Sequence, residues 1–465
     1  MVADVPNFSH FVVCKNNSTF AFVSLGYVFS EEEYSLMNFK ILHEIYHSPT
    51  VRNSTKLLSA NVVAQVVGLI LYPVLTRIYS PEDFGLLNLF LGIGGILALI
   101  STAEYQYAIV LPKEEYKAKG VMQVGLFVLF FVTAIVLLSV PFSKPIANLF
   151  NAPELASWYG LMPFYVLFTG GWVLLNFYYT RQKAFGRISA YQVSQSVLNA
   201  GAKLGFGLGH CLRGGLILST VFSAMLAVAV SVARSWKKGL SDLCRVDKSV
   251  CRSVAKEYAN FPKYSLPRAL VNNLSSSLPA FLLTPFFGLT ELGFWAMALT
   301  LAFRPINMVA GSFYQVLFQN VADKVNKDES IRPLILRFLK RTWGVIVPCF
   351  VCLYFVLPWL TEWLLGGEQW RTTGEYIRLM LPWLTFNVVG AALGFVVDVF
   401  RKQRMSLYIE VASVCLRLLG LLVGVWLQSF YYAVLGYCVA SALVNLSQIV
   451  WYVCLVGNYE RNRVK

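Results

Sequence analysis

The sequence predicts an all-α membrane protein with about twelve transmembrane helices, and three observations support this fold class. Hydrophobic residues make up 57% of the 465 residues and charged residues only 14%, whereas soluble chains carry about 25% charged residues. Apolar runs of about twenty residues, long enough to cross the hydrocarbon layer as helices, recur along the chain. Lys and Arg are concentrated in the connections between these runs. Because backbone groups in lipid must pair within their own segment, we expect the runs to be helices.

A sliding hydropathy window places the individual spans. They are predicted at 57–79, 84–107, 120–142, 158–180, 188–212, 214–234, 264–287, 291–316, 343–365, 375–400, 405–427 and 430–456. The fifth span is the most polar, since Gln192, Gln195, Asn199, Lys203 and His210 interrupt it. A segment of this kind is expected to face a protein interior or a wet cavity.

The basic residues predict how the chain is oriented. If the N-terminus is cytoplasmic, the inside connections carry repeated Lys/Arg clusters, the largest between Arg234 and Lys263, and the outside connections carry isolated ones such as Lys144 and Arg213. By the positive-inside rule this asymmetry predicts that both termini are cytoplasmic. The net charge of +15 is therefore a topology signal and does not indicate a nucleic-acid partner.

The longest connection divides the spans into two sets of six, and a short repeat relates the two sets. Leu75-Thr76 is followed by Asp83-Phe84-Gly85, and Leu283-Thr284 is followed at the same spacing by Glu291-Leu292-Gly293. Because six is even, the two sets enter from the same side and form two parallel six-helix lobes around a central cavity. The predicted parts are a leader (1–54), an N-lobe (55–234), a basic cytoplasmic linker (235–263), a C-lobe (264–456) and a cytoplasmic tail (457–465). The leader is expected to be disordered or to belong to an over-extended gene model that truly starts at Met37.

The sequence offers little for an enzyme. No connection is long enough for a catalytic domain, no G-x-x-x-x-G-K-[ST] loop for ATP is present, and His210 is the only histidine within the spans. The sequence therefore predicts no catalytic residue, no metal site and no cofactor.

Charged side chains within the spans are the informative residues, since each costs at least about 2.5 kcal/mol at the bilayer centre unless it faces protein or water. The candidates for a cationic cavity are Lys203, Arg268, Arg304 and Arg417, with Asn272 one turn after Arg268 and Arg77 at the end of span 1. Carboxylates are fewer, and Glu104 and Glu410 are the candidates for coupling to an H⁺ or Na⁺ gradient. A basic excess in the bundle interior favours an anionic passenger.

Several motifs resemble a known family of exporters. The run from Pro73 to Gly85, the stretches 104–112 and 284–293, Phe261-Pro262, and Phe303-Arg304-Pro305 resemble bacterial polysaccharide-repeat flippases. These are the O-antigen and capsule exporters of the multidrug/oligosaccharidyl-lipid/polysaccharide (MOP) superfamily. The resemblance implies a twelve-helix, MATE-like transporter of the bacterial inner membrane. It also implies that an undecaprenyl-pyrophosphate-linked oligosaccharide moves from the cytoplasmic to the periplasmic leaflet by alternating access.

Other functions stay open at this point. They are a cation-coupled multidrug exporter of the same superfamily, a lipid II flippase, and, outside transport, a membrane-embedded polysaccharide polymerase or ligase. The expected partners are the lipid-linked oligosaccharide and membrane lipids, with a polysaccharide polymerase and a chain-length regulator as further candidates.

Overall fold

The structure of the chain is a computed structural model that describes residues 12–16, 19–23, 65, 68, 70–211, 213–236, 248–326, 329–400 and 402–464. Nearly all of this part of the chain is helical. Within the predicted leader, strands β1 (Val12–Asn16) and β2 (Thr19–Val23) form an antiparallel pair. The expectation for the leader as a whole stays a prediction. The rest of the leader, including Met37, lies outside the described residues.

Sixteen α-helices follow the strands in the described part of the chain. They are α1 (70–78, with Gln65 and Gly68 also helical), α2 (Pro81–Thr102), α3 (Tyr105–Ala108), α4 (Glu115–Leu138), α5 (Ser143–Leu149), α6 (Glu154–Trp158), α7 (Met162–Arg181), α8 (Phe185–Leu208), α9 (Gly215–Ser235), α10 (Lys248–Glu257), α11 (Leu266–Asn326), α12 (Arg332–Leu365), α13 (Arg371–Leu393), α14 (Phe395–Val399), α15 (Gln403–Trp426) and α16 (Phe430–Val464).

Nine segments of the described chain are long and apolar enough to cross a membrane. One of them, Phe261–Gly311, contains the seventh predicted span and most of the eighth. Helix α8 matches the fifth predicted span but is too polar to be counted among the nine. The first half of the first predicted span lies largely outside the described residues, so the count of twelve stays a prediction. The fold class, an all-α membrane protein, is confirmed.

Helix α11 bends sharply at Gly288, where φ is 82° and ψ is 179°. A side chain would be strained at this positive φ, and glycine avoids the strain because it has no Cβ. The bend separates a first arm (266–287) from a second arm (289–326), at the place where the sequence predicts the connection between spans 7 and 8. The second arm continues to Asn326, ten residues beyond the predicted end of span 8.

Helix α2 begins at the predicted outer side with a capping box. The Ser80 side chain accepts a hydrogen bond from the Asp83 backbone N–H, and the Asp83 carboxylate accepts one from the Ser80 backbone N–H. Pro81 occupies the first helical position, where its missing N–H needs no partner. The helix ends at Thr102, so the predicted end at residue 107 is wrong. Ala103 and Glu104 both adopt left-handed conformations, with φ of 46° and 62°, and this terminates the helix.

Two predicted loop segments are partly helical. The linker 235–263 contains α10, and the predicted tail 457–465 is the continuation of α16 as far as Val464. Helix α10 packs against α4, and the Tyr105 hydroxyl donates to the carbonyl oxygen of Ala255 at 3.3 Å. Helix α10 is therefore held against the inner end of the first helix group.

The transmembrane helices pack in two groups. In the first, α7 contacts α2, α4 and α9, and α8 packs along α9. In the second, α13 contacts α11, α12 and α16, and α15 packs along α16. Helix α2 joins the groups by packing along α11, with Gly92 facing Ser277 and Phe281 near mid-membrane. We use the names N-lobe and C-lobe for these two groups.

The sequence repeat marks a reciprocal contact between the lobes. A Cβ atom placed on Gly85 would overlap the carbonyl oxygen of Leu289, and one placed on Gly293 would overlap that of Pro81. Each contact places a glycine of one half against a carbonyl of the other half, and the two contacts occupy corresponding positions of the sequence repeat. The backbones of α2 and α11 approach closely here because both positions lack a side chain.

A buried tryptophan closes the predicted outer side between the lobes. Trp370, just before α13, is fully buried and donates from Nε1 to the carbonyl oxygen of Thr76 at 3.2 Å. Its ring meets Phe84 of the N-lobe at 5.7 Å and Phe294 of the C-lobe at 5.9 Å between centroids. The Thr76 hydroxyl donates to the Leu365 carbonyl at 2.8 Å, which adds a second connection at the same level.

Candidate functional site

Helix α8 carries the polar residues that first distinguished the fifth span. Gln192, Gln195, Asn199 and Lys203 recur at spacings of three and four residues, so they share one face of the helix. This face lines a cavity of about 660 Å³. The expectation that the segment faces a cavity is therefore met by the geometry.

The cavity lies mainly within the N-lobe and is completed by the C-lobe. Helices α1, α7, α8 and α9 supply most of its wall, and the second arm of α11 supplies Arg304 and Asn307. The lining residues are Gln65, Gly68, Leu71, Tyr72, Leu75, Tyr165, Thr169, Trp172, Tyr191, Gln192, Gln195, Ser196, Asn199, Ala200, Lys203, Thr220, Ala224, Arg304 and Asn307. The described lining contains two cations, five amides and four aromatic residues, and no carboxylate.

Arg304 crosses from the C-lobe to the wall formed by α1. Its guanidinium carbon lies 5.4 Å from the centre of the Tyr72 ring, within the range of a cation–π contact. A Cβ placed on Gly68 would be 2.7 Å from Nη1 of Arg304, so the glycine leaves the space that the guanidinium occupies. The Tyr72 ring and the space left by Gly68 therefore determine the position of the Arg304 guanidinium.

Lys203 supplies the second cation, from α8. Its backbone carbonyl accepts a hydrogen bond from the Tyr79 hydroxyl at 2.8 Å, which fixes the outer part of α8 against α1. Lys203 and Arg304 line the same cavity and carry like charges, which repel each other. Within the described residues neither forms a salt bridge with a carboxylate. Two like charges in a low-dielectric cavity are unfavourable alone, and a bound anion would stabilise both.

Aromatic and amide groups line the rest of the cavity. Trp172 and Tyr191 stack with 9° between their ring planes, and Tyr165 meets Phe90 of α2 edge to face at 5.6 Å. The side-chain oxygens of Gln192 and Asn199 are buried and have no hydrogen-bond partner among the described residues. A buried acceptor without a partner costs about 1–3 kcal/mol, so these two atoms are available for donors from a ligand or from water.

Arg417 does not line this cavity, although the sequence analysis placed it in the same cationic site as Arg304. Its Nε donates to the Ser441 hydroxyl at 3.0 Å, and its guanidinium carbon lies 5.8 Å from the centre of the Tyr437 ring. Both partners belong to α16, so Arg417 joins α15 to α16 inside the C-lobe. The neighbouring helix therefore supplies the partners of this cation.

The other predicted site residues lie at three further places. Arg268 is exposed near the start of α11, where its charge acts on the buried Glu104 at the end of α2. The Glu104 side chain also accepts from Nε2 of Gln106 at 3.3 Å. Asn272, one turn after Arg268, donates to Glu410 of α15 at 3.5 Å. None of these four predicted residues lines the described cavity.

Arg77 connects the lobes at the predicted outer side and is also outside the cavity. Its Nη1 donates to the carbonyl oxygen of Pro73 in α1 and to that of Leu364 in α12, the latter at 3.4 Å. Its side chain also packs against Gly366, whose φ of 82° terminates α12. The contacts indicate a role in holding α1 against the end of α12.

The aromatic part of the cavity was not evident from the sequence. Tyr72, Tyr165 and Trp172 lie in apolar spans, where an aromatic residue is typical of a core or of the membrane interface. The amide residues of α8 carried a readable signal, since their spacing marks one face. Only the structure shows which aromatic rings line the same cavity as these amides.

The fold defines the class of protein. An inward-facing multidrug resistance MATE family transporter of the MOP superfamily aligns with a TM-score of 0.65 at 13% identity, covering 87% of this chain and 99% of that one. The lipid II flippase MurJ, in an inward closed conformation, aligns with a TM-score of 0.64 at 11% identity, covering 88% and 90%. At these identities the likeness concerns the fold alone.

A family model described as a polysaccharide biosynthesis protein matches residues 74–374. The chain therefore belongs to this family of polysaccharide biosynthesis proteins, as the sequence motifs indicated. It is similar to the succinoglycan biosynthesis transport protein ExoT of Rhizobium meliloti (strain 1021), at 23% identity over 326 residues. That match covers 66% of this chain and 60% of the relative, which is less than two thirds of the relative's length.

Proposed function

We propose that this protein is a flippase that moves an undecaprenyl-pyrophosphate-linked oligosaccharide, a polysaccharide repeat unit, from the cytoplasmic to the periplasmic leaflet by alternating access. The observation that carries the proposal is the cavity, in which Lys203 and Arg304 stand among amides and aromatic rings without a carboxylate in the described lining. Membership of a polysaccharide biosynthesis family supports the passenger class. Both termini lie in the cytoplasm in this proposal.

The two cations suit the pyrophosphate. A pyrophosphate presents several anionic oxygens, and an Arg guanidinium can donate two parallel hydrogen bonds to such a group while a Lys ammonium acts as a point charge. Because Arg304 comes from the C-lobe and Lys203 from the N-lobe, an anion held by both would also link the lobes. Binding of the head group is thereby coupled to the relative position of the lobes.

The remaining lining suits a sugar. Gln192, Gln195 and Asn199 offer donors and acceptors for hydroxyl groups, and the Trp172–Tyr191 pair offers a flat apolar surface to a sugar ring. The cavity volume of about 660 Å³ is within the usual range for small-ligand sites. The prenyl tail stays in the lipid in this proposal, since an apolar chain gains nothing from entering a polar cavity.

The cavity argues against the rival functions. An exporter of cationic drugs requires acidic groups to hold its substrate, and the described lining has none. A lipid II flippase shares the pyrophosphate chemistry, and the family match favours a polysaccharide repeat unit instead. A polymerase or ligase needs catalytic groups on a large outer loop, whereas α12 and α13 are separated by only a short turn at Glu368–Trp370.

Energy for transport is assigned to an H⁺ or Na⁺ gradient, with Glu104 and Glu410 as the coupling candidates. Glu104 is the stronger of the two by position, because it is 3% exposed and lies at the end of α2 close to the charge of Arg268 in α11. A carboxylate in this place would change the contact between the lobes when it is protonated. A polysaccharide polymerase and a chain-length regulator are proposed partners.

The test removes the cavity cations one at a time. In a deletion strain that lacks surface polysaccharide, Lys203→Gln and Arg304→Gln are each expected to reduce complementation at least about tenfold, because each removes a charge-assisted contact with the pyrophosphate. Membrane protein levels are measured alongside. Lys144→Gln is the control, since it removes an exposed cation from the predicted outer side.

Two outcomes would contradict the proposal. Normal polysaccharide in both cavity variants at normal protein levels would remove the cations from the mechanism. Absence of accumulated lipid-linked oligosaccharide on the cytoplasmic side of the deletion strain would remove the flippase function itself.

A further inference from the structure

A second, smaller cavity of about 140 Å³ lies between α8 and α9, nearer to the start of α8. Its polar lining is Arg187, Tyr191 and Ser194 of α8 with Ser231, Arg234 and Ser235 of α9, and the rest is apolar. It shares no residue with the main cavity except Tyr191. None of its polar residues belongs to the transport site proposed above apart from that shared ring.

The two arginines give this small cavity a positive charge. Arg187 is held with its guanidinium carbon 5.5 Å from the centre of the Tyr179 ring, and its Nη1 donates to Gln182 at 3.4 Å. Arg234, one residue before the end of α9, is exposed. Within the described part of the chain neither guanidinium forms a salt bridge with a carboxylate, so the charge of the cavity is not neutralised there.

The lining also contains serine hydroxyl groups, and Tyr179 holds two of them in place. The fully buried Tyr179 places its hydroxyl 2.7 Å from the Ser235 hydroxyl and 3.1 Å from that of Ser231. Arg187 packs on the face of the same ring. One buried tyrosine thus positions a guanidinium and two hydroxyls of the lining together, which is the donor set that a phosphate group accepts.

The cavity lies at the level of lipid head groups. Arg187 is in the first turn of α8 and Arg234 in the last turn of α9, so both are at the membrane end that the sequence predicts to be cytoplasmic. Basic pockets between transmembrane helices on that side are typical sites for lipid phosphates.

The small cavity is also aligned with the main one. Along α8 the rise from Arg187 to Tyr191 is about 6 Å, and from Tyr191 to Lys203 it is about 18 Å. Tyr191 lines both cavities and stacks on Trp172, so this aromatic pair stands between the two cationic levels. An anion that moved along the face of α8 would meet the arginine level first.

We propose that the α8–α9 cavity is a second anion site that takes the phosphate of a membrane-anchored phosphate ester. Two sources share this chemistry: the head group of an anionic phospholipid and the pyrophosphate of a prenyl-linked passenger. The second source rests on the proposed function, and the first does not. With a prenyl pyrophosphate the site is the first position of the passenger, before it passes the Trp172–Tyr191 pair.

The experiment measures binding to the full-length protein in nanodiscs. The probes are fluorescent dioleoylphosphatidylglycerol in phosphatidylcholine nanodiscs and, separately, geranylgeranyl pyrophosphate. The double variant Arg187→Gln, Arg234→Gln is expected to weaken binding of at least one probe about tenfold or more, since each substitution removes a charge-assisted contact. The charge-retaining Arg187→Lys, Arg234→Lys variant is expected to lie between the wild type and the Gln variant, because it loses the forked geometry.

The matched control is Arg252→Gln, Lys256→Gln, which removes two exposed cations of α10 on the same predicted side. Loss for phosphatidylglycerol alone identifies a phospholipid site, loss for geranylgeranyl pyrophosphate alone identifies a loading site for the passenger, and loss for both identifies a site that both lipids share. Binding of both probes equal to that of the control overturns the proposal. Lys203→Gln, measured with the same probes, tells failure of the main site from failure of this one.

Discussion

Replacing Trp370 tests whether the buried tryptophan holds the lobes together at the predicted outer side. Trp370 is fully buried, contacts Phe84 of the N-lobe at 5.7 Å and donates to the carbonyl oxygen of Thr76 at 3.2 Å. Its other aromatic neighbour, Phe294, belongs to the C-lobe together with Trp370 itself. The contact between Trp370 and Phe294 would survive separation of the lobes, so it does not contribute to the free-energy difference between the closed and separated states.

The two contacts between the lobes set the expected magnitude. The hydrogen bond contributes about 0.5–1.5 kcal/mol, and the edge-to-face contact with Phe84 contributes about 0.5–1.5 kcal/mol. Trp370→Ala removes both, which favours the state with separated outer ends by about 1–3 kcal/mol, or about 5- to 150-fold in population. Trp370→Phe keeps a ring and removes only the hydrogen bond, so about half of that free energy is expected.

Spin labels on the two lobes report the populations. In a background in which the nine cysteines are replaced, Lys144→Cys and Gln428→Cys place labels on exposed positions of the N-lobe and the C-lobe near their predicted outer ends. Double electron–electron resonance then gives the distribution of distances between the labels. We expect a longer-distance population to increase in the order wild type, Trp370→Phe, Trp370→Ala.

The control for tryptophan loss is Trp426→Ala at the end of α15, where the side chain is 82% exposed. It removes the same side chain without removing a contact between the lobes. A distance distribution for Trp370→Ala that matches that of Trp426→Ala would refute the reasoning.

Two further predictions concern packing. Gly85→Ala and Gly293→Ala are each expected to lower the free energy of unfolding by about 1–3 kcal/mol, because the added methyl group overlaps a backbone carbonyl. Thermal unfolding in detergent measures the loss. The control is Gly95→Ala, whose added methyl group meets no atom within 4 Å and is expected to leave stability unchanged or higher. Arg417→Gln is expected to lower thermal stability, since it disrupts the contacts with Ser441 and Tyr437. Binding of geranylgeranyl pyrophosphate to the purified variant is expected to stay near that of the wild type. Weaker binding at unchanged stability would instead place Arg417 in the transport site.

The sequence was sufficient for the class of protein and for much of the polar wall of the cavity. Hydropathy predicts spans because lipid leaves the backbone no other partner than itself. Gln192, Asn199 and Lys203 could be placed on one wet face of a helix because their spacing follows the helical repeat. Arg304 was identifiable as a residue too deep in the membrane to reach water along its own helix.

What the sequence did not determine depends on contacts between distant segments. Arg417 lies near the middle of its predicted span, as Arg304 does, but only the packing of α15 on α16 brings Ser441 and Tyr437 to it. The end of α2 was misplaced for a local reason: Ala103 adopts a left-handed conformation, which alanine does not signal in the way that glycine does. The roles of aromatic residues such as Trp172 were hidden because core, interface and binding site all use them.

The reciprocal contact of Gly85 and Gly293 has a consequence for the history of such a chain. In a symmetric pair of identical chains, a residue near the symmetry axis contacts the same region of the other chain. If two identical halves once paired as separate chains, every mutation at this glycine would have introduced two clashes at once. In the single chain each half can mutate alone, and each glycine faces the other half's backbone, so the close approach of α2 and α11 depends on two independent codons.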